Sequence, residues 1–294
     1  MKKIAAIDIG SNAIRMLICF VIPSGDKYIF QKNLYLRLPI RLGEDSFKSG
    51  IISNSKINLL TNAILSFKYI MKVHEVEDYQ IYATSALRES SNSKEVISIV
   101  KEKTDLKIEL ITGLKEATII SKGNSLEKIG FNKTFLYVDV GGGSTEIYIF
   151  ENNQHIIQSF QLGAVRGMLA KDDPQEWLRL KKWLKKQPKI NTLVGLGGNI
   201  RSFLNLNNKK KMNSQNFIDL TLNIKKLDVD SKISKYGLQK DRADVIDFAL
   251  IIYAEIIKLL EVKEIKSTKW GVSDSIAVKT FHELYSKKIS ISRN

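Results

Sequence analysis

Apolar and polar positions alternate along this chain in two series that follow the same order. Each series predicts three strands and then alternating helices and strands. The first predicts strands at 4–9, 14–22, 28–37, 80–84 and 108–112, with helices at 53–74, 92–103 and from about residue 115. The second predicts strands at 135–140, 146–150, 156–162, 192–195 and near 265, with helices near 174–186, at 242–260 and from about 272. This alternation predicts an α/β fold in which helices cover mixed sheets.

The repeated order predicts a structural duplication with two domains. The expected boundary is a polar, glycine-containing stretch at 123–133. We therefore expect a first domain at 1–124 and a second at 125–294, with the last helix free to pack back on the first.

Each series opens with a glycine turn that follows an aspartate. The turns lie in Asp8–Asn12 and Asp139–Glu146, and each is flanked by apolar strands. Glycine lets the backbone approach a ligand closely, and the N–H groups of such a turn can converge on an anion. The alternative is an ordinary hairpin with a bulge. A third glycine stretch, Gly195–Gly198, opens a helix after a strand, which suits anion binding or close helix packing. The three together favour a phosphate-handling cleft.

The charge of the chain points to an anionic partner. Lys and Arg number 46 and Asp and Glu 31, which gives a formal net charge of +15. Nucleic acid, a membrane surface or a phosphorylated molecule or polymer would each match this charge. Two lysine-rich runs, at 181–186 and 209–211, hold much of the excess, although either run alone is more simply a solvated surface.

Cysteine and histidine usage excludes other classes of site. Cys19 is the only cysteine, and the three histidines share no metal-ligand spacing, so disulfides and cysteine-rich zinc sites are excluded. No apolar run reaches membrane-spanning length, and the N-terminus leads directly into a strand without a signal-peptide pattern. We expect a cytoplasmic protein with no membrane partner.

Several motifs together resemble the exopolyphosphatase / guanosine pentaphosphate phosphohydrolase (Ppx/GppA) family. The segments Ala83–Glu89 and Asp139–Glu146 are the most specific. The other matching segments are Ile7–Asn12, Arg41–Glu44, Thr112–Ala117, Leu162–Arg166, Gly195–Arg201 and Trp270–Val272. The resemblance implies two ribonuclease H-like domains around a central cleft, as in actin and sugar kinases. It also implies Mg²⁺-dependent hydrolysis of a terminal phosphoanhydride.

The resemblance also implies roles for particular residues. Glu116 matches the general base, and Asp139 and Glu146 match the catalytic acids that hold the metal ion and water. The implied substrate-binding residues are Asp8, Gly10, Ser11, Asn12, Arg88, Gly141, Gly142, Gly143, Ser144, Thr145, Arg166, Gly197 and Gly198. The alternative for Glu116 is an exposed first-turn glutamate favoured by the helix dipole, which gains weight without the resemblance. The alternative for Arg88 is a surface ion pair with Glu89 or another acid.

The expected activity is release of orthophosphate from the end of inorganic polyphosphate. Guanosine pentaphosphate is the alternative substrate, and a non-catalytic polyphosphate- or nucleotide-binding protein is the alternative outside enzymes. Three positions depart from the family pattern: Lys115, Ala13 and Ser273. We expect no nucleic-acid partner. The helix at 242–260 is apolar over much of its circumference, which fits a buried core helix or a helix that contributes one face to a homodimer.

Overall fold

The computed structural model describes residues 1–25, 27–124, 134–151 and 154–286. The chain divides into two compact units, one of Met1–Leu126 with Val272–Asn294 and one of Glu127–Gly271. The predicted boundary stretch lies largely outside the described residues, so the boundary itself stays a prediction.

The first unit is built on a five-stranded sheet in the order β3-β2-β1-β4-β5. Strand β2 is antiparallel to β1 and β3, whereas β4 and β5 run parallel to β1. The strands are β1 Lys2–Ile9, β2 Ile14–Ser24, β3 Lys27–Leu38, β4 Asp78–Ala83 and β5 Glu109–Leu110. The helices before the second unit are α1 Leu42–Ser49, α2 Asn54–Val73, α3 Ser85–Glu89, α4 Ser93–Thr104 and α5 Gly113–Asn124.

The second unit contains a six-stranded sheet in the order β10-β11-β9-β6-β7-β8. Strands β6, β9 and β11 are parallel, β7 is antiparallel to β6 and β8, and β10 adds an antiparallel edge. The strands are β6 Phe135–Val140, β7 Thr145–Glu151, β8 Gln154–Phe160, β9 Thr192–Leu196, β10 Lys211–Asn213 and β11 Glu264–Ser267. The helices are α6 Ala164–Met168, α7 Pro174–Leu184, α8 Gly197–Leu206, α9 Ser214–Lys225, α10 Val229–Tyr236, α11 Lys240–Ala243 and α12 Ile246–Leu259.

The last helix, α13 (Val272–Phe281), belongs to the first unit and is followed by a π-helical turn at His282–Ser286. Its residues Ile276 and Phe281 join a core that also contains Leu17 and Tyr82 from the sheet and Ile119 from α5. Burial of this apolar surface is what attaches the end of the chain to the first sheet.

Both sheets share one strand plan: three antiparallel strands in sequence, followed by strands parallel to the first. This is the ribonuclease H-like arrangement, so the predicted fold class is confirmed. Helix α2 also begins as predicted, because the Ser53 side chain accepts a hydrogen bond from the Lys56 N–H.

Some predicted boundaries are wrong for local reasons. The strand expected at 108–112 is only Glu109–Leu110, and Thr112 instead starts α5, since its carbonyl and hydroxyl accept the N–H groups of Glu116 and Lys115. The helix expected from 242 is split into α11 and α12. Helices α9 and α10 were not predicted. Among the described residues no helix has the length and apolar character needed to cross a membrane.

Candidate functional site

The site residues predicted from the sequence lie around the carboxyl ends of the parallel strands in each sheet. In the first unit Ile9 pairs with Ala83 and Ala83 with Leu110, so the segments that follow β1, β4 and β5 leave the sheet side by side. In the second unit Asp139 pairs with Leu196 in the same parallel manner. Ligands of open α/β sheets bind beyond the carboxyl ends of the strands.

The first glycine turn joins β1 to β2. The Gly10 N–H donates to the Ala13 carbonyl at 3.2 Å, which closes the turn. Asp8 lies directly opposite Arg15 across the two strands, and Arg15 Nη1 is 2.6 Å from Asp8 Oδ2. The Asp8 side chain is 3% exposed and that of Arg15 is 25% exposed, so the carboxylate is neutralised inside its own hairpin.

The second glycine turn joins β6 to β7 in the same geometry. The Gly141 N–H donates to the Ser144 carbonyl at 2.9 Å. Asp139 lies directly opposite Glu146, and the two residues are 6% and 4% exposed. The Ser159 hydroxyl on β8 donates to Glu146 Oε1 at 2.9 Å. This hairpin therefore brings two buried acidic residues side by side at the root of a glycine turn.

In each unit the start of a short helix binds the carbonyl oxygens of the turn. Ala164 and Val165 of α6 donate their N–H groups to the Gly141 and Gly142 carbonyls at 2.9 and 2.8 Å. The N–H of Gly43 in α1 donates to the Ser11 carbonyl at 2.8 Å, and that of Arg41 donates to Asn12 at 3.1 Å. Because the carbonyls are turned toward these helices, the N–H groups of the turns other than those of Gly10 and Gly141 are the candidates for binding a phosphate.

Two glycines are required by contacts with the second turn. A Cβ at Gly163 would lie 2.6 Å from backbone atoms of Gly142 and Gly143, so only glycine lets α6 approach the turn. Gly197 begins α8 with a φ of +79°, and a Cβ there would lie 2.7 Å from Asp139 Oδ1. The Asp139 carboxylate thus lies against the N-terminus of α8, where negative charge is stabilised.

Tyr253 of α12 forms hydrogen bonds with β6 and β9, the two strands that end next to the second turn. Its hydroxyl donates to the Val138 carbonyl at 3.0 Å and to that of Leu196 at 3.3 Å. Complete burial raises the pKa of Tyr253 well above its usual value, and the charge of Asp139 adds to the effect. Asn199 holds the end of β6 by donating to the Val140 carbonyl at 2.9 Å.

Both predicted phosphate-binding arginines contact backbone carbonyls. Arg166 Nε donates to the Gly143 carbonyl at 3.0 Å and is 8% exposed, so it supports the second turn. Arg88 Nη1 donates to the Ile111 carbonyl at 3.0 Å, and Arg88 Nη2 lies 3.9 Å from Glu89. These contacts account for both arginines structurally, and their role in binding substrate stays a prediction.

Glu116 lies in the first turn of α5 and is 7% exposed. The helix is capped by Thr112, whose hydroxyl accepts the Lys115 N–H at 3.1 Å. Ile111 precedes Thr112 and is fixed by two hydrogen bonds: its carbonyl accepts one from Arg88, and its N–H donates one to the Ala83 carbonyl at 3.0 Å. This burial does not fit the alternative that Glu116 is only an exposed glutamate at the start of a helix.

The structure shows the surroundings of two departures from the family pattern, Lys115 and Ser273, within the first unit. The Lys115 ammonium forms an ion pair with Glu109 and lies 5.4 Å from the centre of the Tyr82 ring. Beside the buried Ser273, Asp274 pairs with Lys32 at 2.6 Å. The positive charge of Lys115 is therefore directed at Glu109 rather than left uncompensated.

The sequence reasoning missed Arg15, Ser159 and Ser85. The Ser85 hydroxyl lies 2.8 Å from that of Ser11 and joins α3 to the first turn. Arg15 could have been found by counting, since it follows its turn at the same spacing as Glu146 follows the second. Ser159 carries no sequence signal, because it reaches Glu146 only through the pairing of β7 with β8.

The two sheets define an α/β protein with two ribonuclease H-like units, each of which has a glycine turn next to a buried aspartate. The family model of the Ppx/GppA phosphatase family matches residues 27–284. The chain belongs to the Ppx/GppA phosphatase family, and the predicted membership is confirmed.

Individual relatives agree with this assignment. The chain is 30% identical over 286 residues to the bifunctional 3-dehydroquinate synthase/phosphatase of Fusobacterium nucleatum, covering 86% of this chain and 43% of that protein. It is 28% identical over 174 residues to exopolyphosphatase 2 of Mycobacterium tuberculosis, covering 56% of this chain and 54% of that protein. The chain thus spans about half the length of these two curated relatives.

A solved structure shares the fold. The crystal structure of an exopolyphosphatase from Cytophaga hutchinsonii superimposes with a TM-score of 0.82 at 21% identity, covering 93% of this chain and 96% of that one. At this level of identity the likeness concerns the fold alone.

Proposed function

We propose that this protein is a Mg²⁺-dependent exopolyphosphatase that releases orthophosphate from the end of inorganic polyphosphate. The observation that carries the proposal is the pair Asp139–Glu146, buried and directly opposed at the root of a glycine turn. The turn supplies N–H groups for phosphate oxygens, and the acidic pair supplies ligands for a cation. Exopolyphosphatase-named relatives support this substrate class.

Glu116 is proposed as the general base. Its carboxylate would accept a proton from water while the water oxygen bonds to the terminal phosphorus. The bond from that phosphorus to the bridging oxygen then breaks, which releases orthophosphate and a chain shorter by one unit. Phosphoryl transfer depends mainly on such positioning and on neutralising the phosphate oxygens. The burial of Glu116 supports this role, because it limits competing solvent at the base.

Asp139 and Glu146 are the residues that would hold Mg²⁺. Among the described residues no group of three or more His, Cys, Asp or Glu side chains is arranged as a metal site. Two carboxylates nevertheless suit Mg²⁺, which keeps several waters and commonly binds one or two carboxylates together with substrate phosphates. When bound, the ion would neutralise charge on the phosphate oxygens.

The test measures orthophosphate release by the purified chain from polyphosphate and from guanosine pentaphosphate, with Mg²⁺ and with chelator. We expect release that needs Mg²⁺ and favours polyphosphate when both substrates compete. Preference for the nucleotide would move the assignment to that substrate, and no release from either would refute the enzyme.

A matched pair of variants tests the general base. Glu116→Gln should abolish release while leaving polyphosphate binding intact. Glu95→Gln changes an exposed first-turn glutamate of α4 and should leave the rate unchanged. Equal rates in the two variants would show that Glu116 has only a structural role in α5.

A further inference from the structure

A basic groove lies in the second unit at the end of α8 that is remote from the glycine turn. It encloses about 410 Å³ and is formed where α8 ends, along β10 and beside the start of α9. Its polar lining includes Asn207, Lys209, Lys211, Asn213 and Asn216. Helix α8 separates this groove from Asp139: its first residue, Gly197, contacts that carboxylate, and its ten residues span about 15 Å.

The groove carries concentrated positive charge. Lys209, Lys210 and Lys211 are consecutive and all exposed. Lys211 is also directly opposite Lys266 in the β10–β11 ladder, so a fourth lysine is a backbone neighbour of this run. This local concentration of lysines favours a polyanion as the ligand of the groove.

The acidic residues nearby already have partners within the unit. Glu264 accepts a hydrogen bond from Lys211 at 2.8 Å, and Asp219 accepts one from Gln215 at 2.9 Å. The Lys211–Glu264 pair is exposed and therefore contributes little energy, so an incoming polyanion can replace Glu264 as the partner of Lys211.

The lining distinguishes between classes of polyanion. None of the residues that line the groove is aromatic, whereas proteins that bind single-stranded nucleic acid stack bases on aromatic rings. Ammonium groups and asparagine amides instead donate to phosphate oxygens without reading a base. This chemistry favours a polymer that consists of phosphate alone.

We propose that this groove is a second binding site for inorganic polyphosphate, which holds a distant segment of a long chain while its end is hydrolysed. The inference rests on the proposed function for the identity of the polymer. Tripolyphosphate is too short to extend from one end of α8 to the other, so the groove acts only on long substrates.

The experiment compares two double variants with the same net charge. Lys209→Gln/Lys211→Gln removes the groove lysines, and Lys185→Gln/Lys186→Gln removes two exposed lysines after α7. Affinity for long-chain polyphosphate is measured by equilibrium binding at several salt concentrations, and KM is measured for long-chain polyphosphate and tripolyphosphate. Unfolding midpoints verify that both variants are folded.

The groove variant should bind long-chain polyphosphate about 10-fold more weakly, with a salt slope reduced by about 1.4, as expected for two lost phosphate contacts. Its KM for tripolyphosphate should be unchanged, and the control should match the native chain. Equal losses in the two double variants, or an equal loss on tripolyphosphate, would overturn the proposal.

A further variant and a competitor complete the test. Asn216→Asp adds a negative charge in the groove at a helix start that tolerates it, and should also weaken long-chain binding. If single-stranded RNA binds more tightly than polyphosphate and loses more affinity in the groove variant, the occupant is nucleic acid and the proposal is wrong. The binding measurement needs no turnover, so an inactive chain would refute the proposed function while still deciding the role of the groove.

Discussion

Arg15 and Glu146 occupy the same position in the two glycine hairpins. Each lies directly across the strand pair from an aspartate that precedes its turn, Asp8 in the first unit and Asp139 in the second. The first hairpin is therefore balanced in charge, whereas the second combines two acidic residues. The duplicated units keep one backbone geometry and differ in charge, which suits the first turn to an anion and the second to an anion with a cation.

Replacing Arg15 should destabilise the protein because it leaves the Asp8 carboxylate buried without its ion-pair partner. We expect Arg15→Met to lower the free energy of unfolding by about 3 kcal/mol, the lower end of the range for a buried pair, since Arg15 is one quarter exposed. Lys2→Met breaks an exposed pair with Glu77 and should cost at most about 1 kcal/mol. Urea unfolding measures both, and equal losses would contradict the prediction.

Gly197 tests the contact between α8 and Asp139. Gly197→Ala combines a left-handed backbone, at φ +79°, with a Cβ only 2.7 Å from Asp139 Oδ1. Gly237→Ala is the control, because Gly237 also has a left-handed φ, +63°, but nothing within 4 Å of the added carbon. Both substitutions should lower the free energy of unfolding by about 1 kcal/mol, because alanine is strained in a left-handed backbone conformation. Only Gly197→Ala should also lose phosphatase activity, measured as orthophosphate release.

Loss of activity in both glycine variants, or in neither, would show that the position of Asp139 does not depend on this contact. A crystal structure of Gly197→Ala would then show whether the carboxylate has moved.

The sequence predicted those elements well in which apolar residues recur with a single strand or helix period. Strand β6 was predicted at its observed bounds, and the apolar face of α2 was found because each depends on local alternation. Helices α9 and α10 were missed, since α9 packs against α12 and α10 against α11, contacts that the sequence does not show. Their starts are set by side-chain caps at Asn213 and Asp228.

The candidate site was predictable in its turns and less so in its supports. Glycine turns with acidic neighbours are local signals, so Asp139 and Glu146 could be named from sequence. Ser159 and Arg15 depend on strand register, which sequence specifies only through the fold. Arg166 was named for substrate, yet its Nε donates to the Gly143 carbonyl, a contact that no spacing predicts.

Ser159 should position Glu146 for metal binding. Its hydroxyl donates to Glu146, and its carbonyl accepts a hydrogen bond of 2.6 Å from Arg179 of α7. Ser159→Ala should raise the Mg²⁺ concentration for half-maximal activity about 10-fold, as outer partners of metal ligands commonly do. Direct calorimetric titration with Mg²⁺ should show the same loss without turnover. Ser66→Ala, an exposed helix hydroxyl, is the control, and an unchanged titration in Ser159→Ala would exclude this positioning role.

Glu176 and Asp172 should give opposite pH dependences of stability. The hydrogen bond from Arg179 holds the pKa of Glu176 below 4.5, so the unfolded chain takes up this proton at higher pH than the native chain. Its stabilisation is present above 4.5 and is lost as the pH falls through the native pKa. Burial raises the pKa of Asp172 above 3.8 despite the Trp177 hydrogen bond, so its contribution is favourable in acid and is lost as the pH rises. In urea unfolding from acid to neutral pH, Glu176→Gln should therefore destabilise and Asp172→Asn should stabilise the protein near neutrality. Both differences should shrink in acid, and two differences of the same sign would contradict the assignment of these carboxyl groups.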